Sequence, residues 1–392
     1  MNRRVCVLTG TRAEYGLLRW ILEDLREAPD FDLQVIATCM HLSPEFGLTY
    51  REIEADGFNI DRKVEMLLSG DTPSSVAKSM GLGMVGFSDA LAELQPDVLL
   101  VLGDRFETIS CVAAALVARV PVAHIQGGEL SEGAIDEAIR HSITKMSQIH
   151  LVAADEYRRR VVQLGEHPRS VHLVGGPSLD NIQRLDLLRR DTLEAALDHK
   201  FARQNVLVTF HPVTLEGGTA VSQMAELLSA LEMRPDIGVI FTMPNADPEG
   251  RALFDQIEAF VEEHPQHSSF ISLGQLRYLS TVAQVDAVVG NSSSGLTEVP
   301  SLGTATVNIG DRQRGRLKAP SVVDCRPERE EIVAALDLVL TPKFQEVVEQ
   351  RVSPYDPHGD GQTARRVVEV LRTADLHDIL KKRFYDLPGG LE

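Results

Sequence analysis

The sequence predicts an α/β protein made of two successive halves, each built around a mainly parallel sheet. Short β-branched runs alternate with longer amphipathic segments, which is the pattern of repeated strand–helix–strand units. This pattern stops after Gly175-Gly176-Pro177, passes through a charged stretch, and then starts again. A chain of 392 residues is also longer than the roughly 100–200 residues expected of one domain.

Six short apolar runs are the predicted strands of the first half, and two amphipathic segments between them are predicted helices. The strands are Val5–Leu8, Leu33–Thr38, Val98–Leu102, Val120–Ile125, Ile149–Ala153 and Val171–Val174. The helices are Leu17–Ala28 and Ser74–Leu94. Helices between consecutive strands supply the crossovers that parallel strand pairs require.

Five further apolar runs predict the sheet of the second half, and a charged helix over Asp180–Phe201 is expected to join the halves. The strands are Val206–Phe210, Val239–Met243, Phe270–Leu273, Ala287–Val289 and Ala305–Ile309, with helices at Val221–Leu231 and Ala252–Glu263. The chain beyond Asp324 is predicted to be mainly helical. A last helix from Thr363 to about Arg383 is expected to return to the first half. The predicted domains are therefore residues 1–177 with 363–392, and residues 178–362.

Composition and charge exclude several classes of protein. Hydrophobic residues make up 43% and charged residues 24% of the chain, as in globular proteins. The net charge of −18, from 39 basic and 57 acidic residues, argues against nucleic-acid and anionic-membrane partners. The four cysteines lack metal-binding spacing and indicate a reducing compartment, without zinc or disulfides.

Two apolar stretches are too short for a targeting signal or a membrane span. The run Val5–Leu8 falls short of a signal peptide. Ile109–Ile125 is interrupted by Ser110, Arg119 and Pro121 and falls short of the ~20 apolar residues of a span. We therefore expect a cytoplasmic protein.

The most informative stretch is residues 124–141, which places four carboxylates, two histidines and one arginine directly after an apolar strand. Open α/β sheets bind ligands outside the carboxyl ends of their strands. Glu129, Asp136, Glu137 and Arg140 are therefore candidates for proton-transfer chemistry. The alternative is that acidic residues at the start of a helix offset its dipole.

Asp104 follows the strand Val98–Leu102, which we expect to lie next to the strand that precedes this cluster. An Asp at this position is either the N-cap of the next helix or a member of the carboxylate cluster. Neighbouring carboxylates raise each other's pKa and can divide into an acid and a base.

The turn Thr9–Gly16 after the first strand is suited to a phosphate or a sugar oxygen at a helix N-terminus. Its glycines do not match the dinucleotide fingerprint, and no acidic residue closes the next strand, which argues against a nicotinamide cofactor. Arg12 is either an ion-pair partner of Glu14 or a ligand to a diphosphate. Its place at the mouth of the turn favours the ligand.

The second half carries two polar strand ends and a serine-rich turn. His211 is either a core histidine or an acid, base or hydrogen-bond donor, and Asn245 can bond an amide or a ribose. The turn at 290–303 places Ser292 and Ser293 before a helix whose free N–H groups would face a phosphate pair. Serine is also a common N-cap. Glu298 could accept from ribose hydroxyls.

Three arginines in five residues follow the next strand, at Arg312, Arg314 and Arg316. In a chain of net charge −18, such a basic group beside the serine-rich turn favours an anionic ligand over a solvated loop.

Together these motifs resemble the hydrolysing UDP-N-acetylglucosamine 2-epimerases of sialic-acid and legionaminic-acid synthesis. The matching stretches are TGTRAEYG (9–16), MHLSPEFG (40–47), LGDRFE (102–107), GGELSEGAIDEAIRHSITKMS (127–147), FHPVT (210–214), PNAD (244–247) and GNSSSGLTEVPSLGTATVNIGDRQRGR (290–316). The resemblance implies two Rossmann-like domains that face across a cleft, as in glycosyltransferase-B folds, and a homodimer. It implies a UDP-sugar substrate and neither a cofactor nor a metal.

The resemblance also implies a reaction. Family members remove the proton at C2, expel the nucleotide to form a glycal, add water, and release the 2-epimerised sugar, ManNAc where the substrate is UDP-GlcNAc. The alternative substrate is UDP-N,N′-diacetylbacillosamine, which the stretches EGAIDEAIRH and MPNADPEGR favour. The competing functions are a UDP-sugar glycosyltransferase and a nucleotide-sugar binding protein that has lost catalysis.

Site roles follow from the resemblance position by position. The acid/base carboxylates are Asp104, Asp136 and Glu137, and the groups that orient or neutralise charge are Arg105 and Arg140. His211 assists departure of the diphosphate, and His41 binds the sugar or a phosphate. The uridine diphosphate contacts Ser292, Ser293, Glu298 and Arg312, with Arg12 reaching it from the first domain.

Gln126 departs from the pattern, because many relatives carry Glu at this position. An amide cannot abstract a proton. We therefore expect Asp136, or Asp104 acting through water, to be the base.

Overall fold

The computed structural model describes residues 2–70, 72–131, 135–212, 219–243 and 250–388. The strands are β1 (Arg3–Thr9), β2 (Phe31–Thr38), β3 (Arg62–Val64), β4 (Val98–Leu102), β5 (Val122–Ile125), β6 (Ile149–Val152), β7 (Val171–Leu173), β8 (Gln204–Thr209), β9 (Ile237–Thr242), β10 (Ser268–Phe270), β11 (Ala287–Gly290), β12 (Ala305–Ile309) and β13 (Val322–Cys325).

Helices connect these strands throughout the described chain. They are α1 (Arg12–Glu27), α2 (Tyr50–Ala55), α3 (Pro73–Leu94), α4 (Phe106–Ala118), α5 (Ile135–Met146), α6 (Asp155–Gln163), α7 (Leu179–Arg184), α8 (Arg190–Leu197), α9 (Ala220–Glu232), α10 (Gly250–Glu263), α11 (Gly274–Val282), α12 (Ser294–Thr297), α13 (Val299–Leu302), α14 (Arg329–Val339), α15 (Pro342–Val348) and α16 (Thr363–Thr373). Within the described part of the chain, none of them combines the length and the apolar character needed to cross a lipid bilayer.

The chain divides into two compact units, and each contains one parallel sheet. The first unit runs to Asn181 and includes the chain from Asp360 onward, and the second is Ile182–Gly359. The sheet orders are β3-β2-β1-β4-β5-β6-β7 and β10-β9-β8-β11-β12-β13. Both follow the order of dinucleotide-binding folds, with a topological switch point beside the first strand. The predicted α/β class with two Rossmann-like domains is confirmed.

The first sheet is covered on both faces, because successive apolar side chains of its central strand β1 point to opposite sides and all are buried. Val5 and Val7 of β1 face a core that includes α1 and α16, whereas Cys6 and Leu8 face a core that includes α3 and α4. Fully parallel sheets are normally buried on both sides in this way.

The last helix returns to the first unit, as predicted. Ala364, Val367, Val368 and Leu371 of α16 are buried in the same core as Leu18, Leu22 and Leu25 of α1. The start of α16 is fixed because Asp180 Oδ2 accepts a hydrogen bond from the Ala364 N–H at 2.7 Å. The helix ends at Thr373, about ten residues before the expected end at Arg383, and residues 377–380 form a turn after it.

A charged cluster holds the segment after α16, which contains Lys382, against the rest of the first unit. Glu166, whose side chain is 3% exposed, pairs with Lys145, His150 and Lys382. Lys382 Nζ also donates to the Ser147 carbonyl at 2.7 Å. Burial would raise the pKa of Glu166, but the hydrogen bonds from these three partners lower it to about 2.

The structure corrects several predicted elements. The predicted strand Phe270–Leu273 is instead β10 at Ser268–Phe270, and the exposed Ile271 lies outside it. The edge strands β3 and β13 were not predicted, because both are short and only partly buried and therefore carry no apolar run. The predicted helix over Asp180–Phe201 is two helices, α7 and α8. The segment between them leaves the helical path and packs Leu185, Leu187 and Leu188 against a core of the second unit.

Candidate functional site

The turn between β1 and α1 is fixed by the first residues of the helix. Thr11 Oγ1 accepts a hydrogen bond from the Glu14 N–H at 3.2 Å, and Glu14 Oε2 accepts from the Gly10 N–H at 2.6 Å. These reciprocal bonds resemble a capping box. The amides of Gly10 and Glu14 are therefore used within the protein rather than offered to a ligand.

Arg12 lies on the exposed side of this turn, with 62% of its side chain accessible. Its Nε lies 3.1 Å from Glu52 Oε2 of α2, so the local alternative, an ion pair with Glu14, is not what the structure shows. An exposed pair of this kind contributes at most about 1 kcal/mol, so exchanging Glu52 for an anionic ligand costs little.

His41 is completely buried beneath the same turn. Its Nε2 lies 3.0 Å from Thr9 Oγ1, and its Nδ1 lies 2.8 Å from Thr49 Oγ1. Burial lowers the pKa of His41 to about 4, so the ring is neutral at physiological pH. In this arrangement His41 braces the turn and presents neither ring nitrogen to a sugar or phosphate.

Arg105, just after β4, is held by a carboxylate of the helix that it precedes. Its Nε lies 2.5 Å from Oε1 of the fully buried Glu107, and its Nη2 lies 3.8 Å from Met40 Sδ. About a third of the Arg105 side chain remains accessible. The guanidinium therefore has a fixed position and an open side.

Asp104 and Arg140 form an ion pair that joins the end of β4 to α5. Arg140 is almost fully buried, and its Nη2 also donates to Ser131 Oγ at 3.0 Å. The Ser131 N–H donates to Glu137 Oε2 at 2.5 Å, and Glu137 Oε1 lies 3.1 Å from His141 Nε2. We call this set the Asp104–His141 network. It brings together three of the predicted residues, Asp104, Glu137 and Arg140.

Asp136 lies at the start of α5, next to this network in sequence, and is partly buried. Its position agrees with both interpretations of the acidic cluster. A carboxylate here is close to the network, and a carboxylate in the first turn of a helix also offsets the helix dipole. The preceding residues 132–134 lie outside the described residues.

Gln126 occupies the residue at which β5 leaves the sheet, and its φ is +65°. A left-handed backbone is unfavourable for a residue with a side chain, and such residues cluster at functional sites. The Gln126 N–H donates to the Leu151 carbonyl at 3.0 Å, which fixes the turn. Gly128 then has a φ of +81°, and a Cβ there would lie 2.5 Å from the Tyr157 carbonyl oxygen, so only glycine fits.

His124, which sequence reasoning did not assign a role, ties the ends of β4 and β5 together. Its Nε2 lies 2.8 Å from the Gly103 carbonyl oxygen, and its Nδ1 lies 3.2 Å from Thr144 Oγ1 of α5. Burial lowers the pKa of His124 to about 3, so the ring stays neutral. It therefore positions the backbone immediately before Asp104. A histidine inside an apolar strand was the only signal for it.

In the second unit, Asn291 organises the polar end of the sheet, and sequence reasoning missed it as well. Its Oδ1 accepts from the His211 N–H and its Nδ2 donates to the His211 carbonyl, both at 2.8 Å. The Asn291 carbonyl accepts from Arg312 Nη1 at 3.0 Å and from Gln313 Nε2 at 2.8 Å. The side-chain amide of this buried residue thus fixes His211, and its backbone carbonyl fixes Arg312.

The serine-rich turn follows Asn291, but the predicted helix after it is interrupted. Two four-residue helices, α12 and α13, replace it, because Pro300 breaks the continuous pattern of backbone bonds. Ser292 and Ser293 precede α12 and are partly exposed. Gly290 is required before them, since a Cβ would lie 2.0 Å from the Thr209 carbonyl oxygen.

Glu298 lies between the two short helices at the end of a chain of hydrogen bonds. The Ser294 hydroxyl donates to Glu298 Oε2 at 2.5 Å, and the Tyr278 hydroxyl donates to Ser294 Oγ at 2.9 Å. Burial raises the pKa of Glu298. In the structure Glu298 is therefore engaged with Ser294, and a ribose would have to share or replace that contact.

Some expected contacts lie outside what the structure describes. Asn245 falls within 244–249, and the residues after Pro212 fall within 213–218. In the remaining residues, no group of three or more histidine, cysteine, aspartate or glutamate side chains is arranged as a metal site.

Comparison with known proteins gives consistent results. The family model described as UDP-N-acetylglucosamine 2-epimerase matches residues 23–372. The chain is 38% identical to a Campylobacter jejuni protein named GDP/UDP-N,N′-diacetylbacillosamine 2-epimerase (hydrolyzing), over 98% of this chain and 100% of that one. It is 33% identical to a Legionella pneumophila protein named UDP-N,N′-diacetylbacillosamine 2-epimerase (hydrolyzing), over 97% and 99%.

Among solved structures, the fold is similar to the UDP-GlcNAc 2-epimerase of Neisseria meningitidis bound to UDP-GlcNAc. The TM-score is 0.81 at 17% identity, over 95% of this chain and 100% of that one. The match over most of the chain confirms the resemblance carried by the motifs. The chain belongs to the UDP-N-acetylglucosamine 2-epimerase family of enzymes.

Proposed function

We propose that this protein eliminates UDP from a UDP-linked 2-acetamido sugar, hydrates the resulting glycal, and releases the 2-epimerised free sugar. The Asp104–His141 network supports this proposal, because it groups carboxylates around a buried arginine at the carboxyl edge of the first sheet. Ligands bind at this edge in open α/β sheets. Epimerisation through elimination and hydration needs both an acid and a base, whereas sugar transfer needs one base at most.

The acid/base roles are assigned to three carboxylates. The C2–H bond is weakly acidic, so a positioned base is needed to break it. Gln126 cannot act as that base. Asp136, or Asp104 through water, takes the proton, and Glu137 belongs to the same group. Asp104 has a defined position because Arg140 is paired with it.

The leaving diphosphate needs cations and N–H donors that stabilise its developing charge. In the second unit, the residues proposed to hold the UDP are Ser292, Ser293, Glu298 and Arg312. Asn245, which follows β9 in the sequence, is also proposed to bind the substrate. His211 assists its departure. In the first unit, Arg12 and Arg105 supply positive charge. His41 is proposed to act through Thr9 and Thr49 rather than by direct contact.

We propose UDP-N,N′-diacetylbacillosamine as the substrate ahead of UDP-GlcNAc. Two relatives that match nearly the whole chain carry the first sugar in their names, and the stretches EGAIDEAIRH and MPNADPEGR favour the same assignment. The product would then enter legionaminic-acid rather than sialic-acid synthesis, in the cytoplasm.

Incubation of the protein with each UDP-sugar, followed by NMR of the released sugar, tests both the reaction and the substrate. We expect faster UDP release from UDP-N,N′-diacetylbacillosamine and solvent deuterium at C2 of the product in D₂O. Product without deuterium at C2 would favour a transferase, and absence of UDP release from either sugar would contradict the proposal.

We also propose that the protein is a homodimer, supported by an apolar face of α3 and α4. Leu82, Met84 and Val85 of α3 are exposed, with Val85 at 66%, and Val117 of α4 is 78% exposed. Exposed apolar groups of this kind typically mark interaction surfaces.

The charges that flank this face suit a second copy of the same chain. Lys78 and Asp89 are both exposed and eleven residues apart, which is about three helical turns, so they share a face with Leu82 and Val85 between them. If α3 packed antiparallel on its own copy, Lys78 of one chain would face Asp89 of the other. A two-fold interface repeats each contact in this way.

The oligomeric state is measured by light scattering after size exclusion. We expect about twice the mass of one chain for the native protein and one chain for Val85→Asp, with Glu93→Gln on the same helix as the matched control. A native monomer at micromolar concentration would contradict the homodimer.

A further inference from the structure

Two buried carboxyl groups at the ends of β1 and β4 are not accounted for by the reaction. Glu14 belongs to the first turn of α1, where its Oε2 caps the helix through the Gly10 N–H. A capping glutamate usually lies on the surface, but Glu14 is only 5% exposed. Among the described residues, its Oε1 is buried and has no hydrogen-bond partner.

Glu107, in the first turn of α4, shows the same imbalance. Its Oε1 pairs with Arg105, while its Oε2 is buried and lacks a partner within the described chain. A Cβ on Gly10 would lie 2.5 Å from Glu107 Oε1. Gly10 thus touches Glu107 on one side and donates its N–H to Glu14 on the other, so both carboxyl groups flank one glycine.

The charges around this glycine do not balance if both groups are ionised. Two buried carboxylates would share one cation, the guanidinium of Arg105. A buried charge without a partner is costly, and such groups take up a proton instead. Burial, followed by the proximity of Glu107, raises the pKa of Glu14 to about 8.

The other titratable groups around Glu14 keep their charge state near neutral pH. His41, which follows β2, stays neutral because burial lowers its pKa. Burial raises the pKa of three thiols, Cys39 after β2, Cys6 on β1 and Cys111 on α4, so all three stay protonated. Compared with His41 and these three thiols, Glu14 is the group whose charge changes between pH 7 and pH 9.

We propose that Glu14 and Glu107 form a buried pair in which Glu14 carries a proton and that, in this state, the pair positions the Gly10–Thr11 turn and Arg105 to bind the diphosphate of the substrate. This inference rests on the proposed function. Glu14 and Glu107 are positioning residues, because Glu14 acts through the turn that carries Arg12 and Glu107 acts through Arg105. Loss of the Glu14 proton to solvent adds a negative charge beneath the turn, which repels the diphosphate.

The test is the affinity for UDP, measured by calorimetry at pH 7 and pH 9, in the wild type and in Glu14→Gln. A carboxyl with a pKa near 8 is about 90% ionised at pH 9, so wild-type affinity is expected to fall about tenfold. Glu14→Gln cannot ionise, so its affinity is expected to change less than about threefold over the same range. Any change of UDP affinity with pH in Glu14→Gln also measures the effect of ionisation of the uracil. Glu27→Gln at the exposed end of α1 is the matched control and should follow the wild type.

Urea unfolding at pH 6 and pH 8 tests the proton without a ligand. A carboxyl whose pKa is higher in the folded state than in the unfolded state stabilises the fold at low pH, and this stability is lost as pH rises toward 8. The urea midpoint of the wild type should therefore fall more than that of Glu14→Gln.

The outcomes separate the two proposals. Equal pH dependence of unfolding in both proteins would overturn the protonation of buried Glu14, and equal pH dependence of UDP affinity would overturn its role in positioning. Absence of UDP binding by the wild type at pH 7 would instead contradict the proposed function.

Discussion

The carboxyl edges of the two sheets have similar topology but different chemistry. The edge of the first sheet carries ion pairs and buried carboxyl groups, including Asp104 with Arg140 and Arg105 with Glu107. The edge of the second sheet relies on amides and hydroxyls, in which Asn291 fixes His211 and Ser294 links Tyr278 to Glu298. A site that moves protons needs groups whose charge changes, whereas a site that holds a fixed anion needs donors that stay in place. The difference indicates a division of work between the two units.

The largest effect is expected when a carboxylate of the first sheet edge is replaced. Asp104→Asn and Asp136→Asn should each lower kcat by about 10²–10⁴, the range attributed to general acid–base groups. UDP affinity should stay within about threefold of the wild type, because these residues are assigned to proton transfer and not to the nucleotide. Steady-state kinetics and calorimetry measure the two quantities. Unchanged kcat in both variants would remove the assignment of the base.

The next effect concerns stability, because buried carboxylates make the first unit sensitive to acid. The pKa of Glu166 is held at about 2 against its ordinary 4.5, which corresponds to about 3 kcal/mol. This stability is present above pH 4.5 and is lost as pH falls toward 2. Glu166→Gln should therefore lower the free energy of unfolding at pH 7 and have little effect near pH 2.

Urea unfolding across this range makes the comparison with the wild type. Asp155→Asn, on the exposed start of α6, serves as the control for loss of a surface carboxylate. A loss of stability that is the same at pH 2 and pH 7 would show that packing, and not charge, accounts for the effect of Glu166.

A smaller effect is expected at the edge of the second sheet. Asn291→Ala removes both side-chain hydrogen bonds to His211, each worth about 0.5–1.5 kcal/mol. UDP affinity should fall about tenfold, while the pH dependence of kcat/KM stays that of the wild type. A shifted pH profile would mean that this edge also takes part in proton transfer.

The smallest effect is expected for Arg12→Ala. Its ion pair with Glu52 is exposed at both ends, so stability should change by less than about 1 kcal/mol. UDP affinity should still fall about threefold to tenfold if Arg12 contacts the diphosphate, since a charge-assisted contact would be lost. Glu52→Gln is the matched control and should not weaken UDP binding. Equal affinities of Arg12→Ala and the wild type would contradict the assigned contact.

The sequence predicted those parts of the fold that depend on local pattern. Val98–Leu102 and Ala305–Ile309 were predicted with the bounds that the structure shows, because buried parallel strands are continuous apolar runs. The edge strands β3 and β13 lack that pattern, and the break between α7 and α8 depends on leucines that pack into a distant core. Such features are decided by tertiary contacts.

The same distinction applies to the candidate site. The proximity of Asp104 to α5 followed from adjacent parallel strands, and the ion pair with Arg140 agrees with it. The partner of Arg12 did not follow, because Glu52 is 40 residues away on α2. Burial of His41, Glu14 and Glu107 also depends on how α1, α4 and the segment after β2 pack around one turn. Residue types alone do not show which polar groups lose access to water.

The return of α16 to the first unit has a consequence for synthesis on the ribosome. The apolar side of α1 is completed by Val367, Val368 and Leu371, which leave the ribosome only after the whole second unit has been made. Until then Leu18, Leu22 and Leu25 lack part of their covering. The second unit is one continuous segment and can fold in the order of its synthesis. The half of the protein that is translated first is therefore the half that finishes folding last.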